Sequence, residues 1–131
     1  MGDLSRDFSA WEFECKCGCG TGAMNPAFIE RLQIMRNKRG EAITIRSGIR
    51  CPEHNAKVGG KPDSEHLPDE TTGLTEGADL EFFGSHDRHV MTWAAHLAFD
   101  RVGIADNFIH VGSRASKPQE VTWIYPKKGT P

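Results

Sequence analysis

The chain has 131 residues, 37% of them apolar and 26% charged, with 16 basic against 18 acidic side chains and a formal charge of −2. That length fits one domain with a core of its own, expected to span residues 1–131, and leaves no room for a second. The even charge balance offers no footprint for nucleic acid or an anionic membrane, and no stretch reaches the roughly 18 apolar residues of a membrane span.

In chain order, the opening MGDLSRDFSAWEFEC is too polar for a signal peptide. A chain made in the cytoplasm is expected, with any export by another route. CKCGCG follows, placing Cys15, Cys17 and Cys19 close together, with Cys51 far downstream. In a reducing cytosol these are thiols or metal ligands rather than disulfides. The C-x-C-x-C spacing lacks the two-residue gap of common zinc knuckles, which argues against a four-cysteine zinc site. Outside the cytosol, a disulfide from Cys51 to one of the three is an equal reading.

A helix is predicted next. Asn25 can cap it, Pro26 suits its first position and Gly40 can stop it. Phe28, Leu32 and Met35, widened by Ile29, make its apolar stripe. AITIRSG reads as a half-buried strand ending at Gly48. Residues 51–77 are dense in Gly, Pro, Asn and Asp, so irregular structure with at most a short helical turn is expected. ADLEFF reads as a second strand, with Leu80 and Phe82 on one face and Asp79, Glu81 and Phe83 on the other. A second helix, capped by Ser85, is predicted to run to Gly103 with Val90, Ala94, Leu97 and Ala98 buried and Trp93 or Met91 beside them. NFIHVG is a third strand, with Ile109 and Val111 opposite Phe108 and His110, and VTWIYP is a fourth. The basic runs at 36–39 and 127–128 read as solvated faces.

Helix, strand, loop, strand, helix, strand, strand is not a βαβ alternation. It points to an α+β fold, with a small, mainly antiparallel sheet and helices packed on one face. Asp79 and His110 would then share the other face of that sheet. His66, Asp79 and His110 are suitable ligands for a catalytic zinc, which takes three nitrogen or oxygen donors and keeps a fourth position for water. The metal would bring the pKa of that water toward neutrality. Spacing alone does not single this triad out. His86, His89 and His96 fall on the second helix without an H-E-x-x-H partner and read as solvated, and His54 reads as a turn residue.

Taken as an ordered set, SGIRCPEHNAKVGG, SEHL, EGADLEFF, FIHVG and the closing tryptophan strand resemble the zinc D-Ala-D-Ala carboxypeptidase family. The likeness is greatest to its small peptidase domains of the phage endolysin kind, and it spans about Phe8 to Tyr125. It implies the fold shared with the hedgehog signalling domain, one zinc ion, and a peptidoglycan stem peptide as substrate. The expected protein is a monomer acting on the cell wall once released or delivered, from a phage or a bacterium. By motif, His66 of the S-x-H segment, Asp79 of GAD and His110 of the HVD-like strand are the implied zinc ligands. Arg50 of SGIR is the implied clamp for the substrate carboxylate, with Ser64 nearby.

This chain departs from the pattern at three places. Twelve residues separate His66 from Asp79 where the family has six, a tolerable change because a longer surface loop costs little closure entropy. The insertion is expected to form a lip of the cleft. Gly112 stands where the family's HVD has aspartate. Asn107 stands where the family commonly has an acidic base, so Asp106, the nearest carboxylate and on the same strand face as His110, is the expected base, ahead of Glu65, Glu76 and Glu81. The alternative is a non-catalytic zinc-containing binding module of the same fold.

Overall fold

The first helix forms as its caps predict. In a computed structural model describing residues 2–126, α1 runs Pro26–Arg39, with Asn25 Oδ1 accepting the Ala27 N–H at 2.8 Å. Gly40 closes it in the left-handed region at φ 81. Phe28, Ile29, Leu32 and Met35 are its buried face. The basic pair at 127–128 lies outside the described residues. Among the described residues no helix is long and apolar enough to cross a membrane.

A one-turn 3-10 helix (Ala10–Phe13) and the two-residue β1 (Ala23–Met24) precede α1. After it come β2 (Ile45–Ser47), the short α2 (Pro52–Lys57), β3 (Leu74–Thr75) and β4 (Gly77–Glu81). The chain then forms α3 (Ser85–Ala98), β5 (Arg101–Ile104), β6 (Phe108–Gly112) and β7 (Val121–Ile124). Five strands make one sheet in the order β2-β4-β6-β5-β7, antiparallel except for the β5–β7 pair. β1 and β3 pair separately and in parallel. The fold is α+β, as expected. α1 packs on α3, which in turn packs on β5 and β6. Leu80, Val102, Ile109 and Val111 face that layer and are fully buried.

Two expectations need correction. The second helix ends at Ala98 and does not reach Gly103, because Phe99 turns extended (φ −131, ψ 146) and puts its ring 5.3 Å from Phe28 in the core. Burying that ring outweighs one more helical turn, and RVGI becomes the unforeseen strand β5. The buried face of α3 is also rotated. Met91, Ala94 and Ala95 are inside, while Leu97 and Trp93 stand about half exposed. Gly103 is no helix stop. It lies in β5 beneath the indole of Trp123, where a Cβ would meet the ring at 2.5 Å.

Phe99→Ala should therefore cost about 3–5 kcal/mol, the usual penalty for truncating a buried phenylalanine. Urea unfolding reads it directly; a loss below about 1 kcal/mol would mean that Phe99 does not anchor the helix-to-strand switch.

Candidate metal centre

Register brings the first two donors together. Asp79 on β4 and His110 on β6 are direct cross-strand partners on the sheet face away from the helices. His66 comes from the loop after α2. Its backbone N–H donates to Ser64 Oγ at 3.1 Å, and its carbonyl accepts from Arg50 N–H at 2.8 Å. Asp79 Oδ1 then lies 3.1 Å from His66 Nε2 and 2.9 Å from His110 Nδ1. One donor atom from each of the three residues falls within 4.8 Å of the others.

All three are buried, at 3–5% exposure, and this is possible only because their remaining polar atoms are occupied. His66 Nδ1 sits 2.6 Å from the carbonyl of Gly48 and so donates to it. His110 Nε2 sits 3.0 Å from Glu65 Oε1. Each imidazole thus has its outer nitrogen tied to an acceptor and its inner nitrogen turned to the common centre, the orientation a metal-bound histidine needs. Two imidazole nitrogens and one carboxylate oxygen, with space left for a fourth ligand, fit a catalytic zinc.

Glu65 accounts for the missing aspartate. A Cβ placed on Gly112 would land on the Glu65 carboxylate, so glutamate from the S-E-H loop occupies the volume that a side chain at 112 would take. That carboxylate also takes an ion pair from Arg101 Nε at 3.0 Å and the Arg114 N–H at 3.2 Å. Arg101 lies in turn under Trp123, 5.0 Å from the ring centroid. From sequence Glu65 is no more than a reserve base, and nothing in the motifs marks Arg101 or Arg114. The readable signal was a pair of departures, Gly112 and Glu65, whose connection only the fold reveals.

The charges reinforce one another. Burial would raise the Asp79 carboxyl, but hydrogen bonds to His110 and His66 outweigh it and hold the group well below the usual carboxylate range. Burial likewise opposes ionisation of Glu65, and contact with His110 and Arg101 overcomes it, leaving that carboxyl lowered. Burial would lower His110, yet its bonds to Asp79 and Glu65 push it up to about 9. In the metal-free protein at neutral pH the His110 ring is therefore an imidazolium between two carboxylates.

The donors line a cleft of about 770 Å³, whose walls include Arg50, Ser64, Phe108, Trp123 and Tyr125. Arg50 Nη2 is 3.4 Å from Asp79 Oδ2, and its Nη1 donates to Asn55 Oδ1 at 3.3 Å. Asp106 is not brought to this site. It is exposed in the turn between β5 and β6 and is not among the cleft-lining residues. The insertion does not form a lip either, since no residue from 67 to 76 lines the cleft. Arg114 ties it down at the side, donating to Leu67 O at 2.7 Å and to Glu76 Oε1 at 3.1 Å. His86, His89 and His96 are exposed on α3, as expected.

A buried two-histidine, one-aspartate centre in an open cleft belongs to the class of single-metal sites that keep a coordination position for water or substrate. Within that class, the family model described as Peptidase M15 matches residues 6–112, and the chain belongs to this family of zinc-dependent peptidases. A search of curated proteins found no match.

Glu65→Gln keeps the shape of the side chain but weakens the acceptor behind His110. It should lower zinc affinity about 10–100-fold, as loss of such a partner typically does; competition with a chromogenic chelator measures it, and unchanged affinity would remove Glu65 from the site. Proton linkage gives a second check. His110 is raised from 6.5, so its pairing stabilises the metal-free fold fully below that value and is lost as pH rises through about 9. Zinc needs the neutral ring, so loading at neutral pH should release a proton. Calorimetry of the Cys17→Ser/Cys19→Ser variant, in which the cysteine cluster adds no thiol protons, in buffers of different ionisation enthalpy will show it, and a buffer-independent heat would contradict an imidazolium at His110.

Proposed function

We propose that the chain hydrolyses D-amino-acid-containing peptide bonds in peptidoglycan stem peptides, as a D-Ala-D-Ala carboxypeptidase or a related endopeptidase. The observation that carries this reading is the half-buried Arg50 guanidinium beside Asp79 on the wall of the three-donor cleft. A planar cation of this kind binds a carboxylate with two parallel hydrogen bonds. A substrate ending in a free carboxylate would hold that group on Arg50 and bring the adjacent peptide carbonyl to the His66–Asp79–His110 centre. The D configuration rests on the motif resemblance of SGIR, SEHL, GAD and FIHVG.

The chain's own residues divide the remaining work. His66, Asp79 and His110 would hold the zinc, which when bound supplies Lewis acidity and makes water a nucleophile near neutral pH. Phe108, Trp123 and Tyr125 form an aromatic wall for the stem peptide and keep bulk water off it. Ser64 shapes the His66 loop through its backbone hydrogen bond. Asp106 can accept a proton at the centre only if the β5–β6 turn folds toward His110.

One observation favours a second reading, a zinc-containing module that binds without cleaving. Every carboxylate lining the cleft is already engaged: Asp63 with Lys117, Glu65 with His110 and Arg101, and Asp79 with both histidines.

Zinc-loaded protein incubated with a muropeptide ending in D-Ala-D-Ala should release D-alanine or a shortened cross-peptide, and His66→Ala should abolish both cleavage and zinc at this centre. Binding of the muropeptide with no product would favour the second reading. Arg50→Met should lower kcat/KM by roughly thirtyfold or more, the equivalent of about 2 kcal/mol for an unpaired buried charge, with zinc content retained. Asp106→Asn should leave turnover intact in the observed conformation; a dead enzyme with full zinc would instead restore Asp106 as the base.

A further inference from the structure

The four cysteines, 36 residues apart at their widest hydrogen-bonded link, come together outside the peptidase cleft. Cys15 Sγ is 3.4 Å from Cys17 Sγ, and Cys17 Sγ is 3.6 Å from Cys51 Sγ. All four sulfurs, Cys19 included, lie within 4.8 Å of one another. Cys15 and Cys51 are buried, and Cys17 and Cys19 close the cluster from the solvent side. From this arrangement we infer a second metal site, a structural zinc tetrathiolate formed by Cys15, Cys17, Cys19 and Cys51. It does not depend on the substrate proposed above.

The geometry favours a metal over disulfides. A disulfide pairs sulfurs exclusively at about 2.0 Å, whereas Cys17 has two near neighbours, and all four sulfurs surround one point. Tetrahedral zinc with bonds of about 2.3 Å needs sulfur–sulfur edges of about 3.8 Å, close to the spacings observed. Backbone N–H groups already point at the inner sulfurs. Cys51 N–H donates to Cys15 Sγ and His54 N–H to Cys51 Sγ, both at 3.4 Å, so the inner sulfurs already have the outer donors that orient metal-bound ligands.

The unusual C-x-C-x-C spacing works because of its glycines. On an extended strand alternate side chains share a side but stand nearly 7 Å apart, too far for one ion. Gly18 and Gly20, at φ 80 and 70, curl the chain so that three successive cysteines face one centre. With four thiolates there is no open position, so the site is structural rather than catalytic.

The cluster joins the N-terminal loop to the segment that serves the peptidase centre. Cys51 directly follows Arg50. Two residues before Arg50 is Gly48, whose carbonyl orients His66, and Ile49 N–H donates to Phe13 O at 2.8 Å. A metal here would hold the Arg50 and Gly48 backbone against the amino-terminal segment.

Metal content of the full chain tests this. The His66→Ala/His110→Ala variant, which lacks the peptidase centre but keeps every cysteine, should still bind one zinc per chain by native mass spectrometry. Loaded with cobalt(II), it should show strong thiolate-to-metal charge-transfer absorption, and its thiols should react with a disulfide reagent only after chelation. Cys17→Ser/Cys19→Ser should lose that absorption while keeping the zinc of the histidine centre. A metal-free His66→Ala/His110→Ala variant would overturn the site, as would a wild-type mass reduced by the hydrogens of one or two disulfides.

Discussion

Burying His66, Asp79 and His110 side by side is the constraint on which the rest of the structure depends. Unpaired, each would cost several kcal/mol of desolvation, and a single missing partner would leave a charge stranded. The fold meets this by giving every outward-facing polar atom a fixed acceptor or donor. Gly48 O serves His66, Glu65 serves His110, and Arg50 serves the second oxygen of Asp79. The inner nitrogens and Asp79 Oδ1 are then directed at a common point without any freedom to turn away.

Secondary structure explains why those partners are in place. The antiparallel register sets Asp79 opposite His110, and a slip of one residue would send both toward the helices. Val102, Ile109 and Val111 fix that register from the other face by filling the core against α3. The His66 loop has no ladder of its own, so it is held from outside. Thr75 Oγ1 donates to His66 O, and Arg114 reaches Ser64 O and Leu67 O. Glu65 links the two systems, because its carboxylate touches His110 on the sheet and Arg114 at the end of β6.

What could be read from sequence follows the range of the interactions. Local signals served well. Asn25, Pro26 and Gly40 bound α1 at the expected ends, and alternation in GADL and FIHVG put Asp79 and His110 on one face. Arrangements that depend on tertiary contacts were not legible. Phe99 leaves the helix because Phe28 waits in the core, and the space beneath Trp123 is what makes Gly103 a strand residue. Gly112 looked like a lost aspartate until Glu65 was seen in the same volume. Nearness in sequence and strand parity point to Asp106, but neither shows that the β5–β6 turn leaves it exposed and off the cleft wall. The cysteines show the same limit, for spacing argued against a site that two left-handed glycines make geometrically feasible.

Anomalous scattering at the zinc edge from crystals of the zinc-loaded protein tests the central claim most directly. The account predicts a peak about 2.0–2.2 Å from His66 Nε2, Asp79 Oδ1 and His110 Nδ1, with Glu65 still bonded to the opposite nitrogen of His110. No peak at these three atoms, or a peak on the Nε2 side of a turned His110 ring, would contradict it.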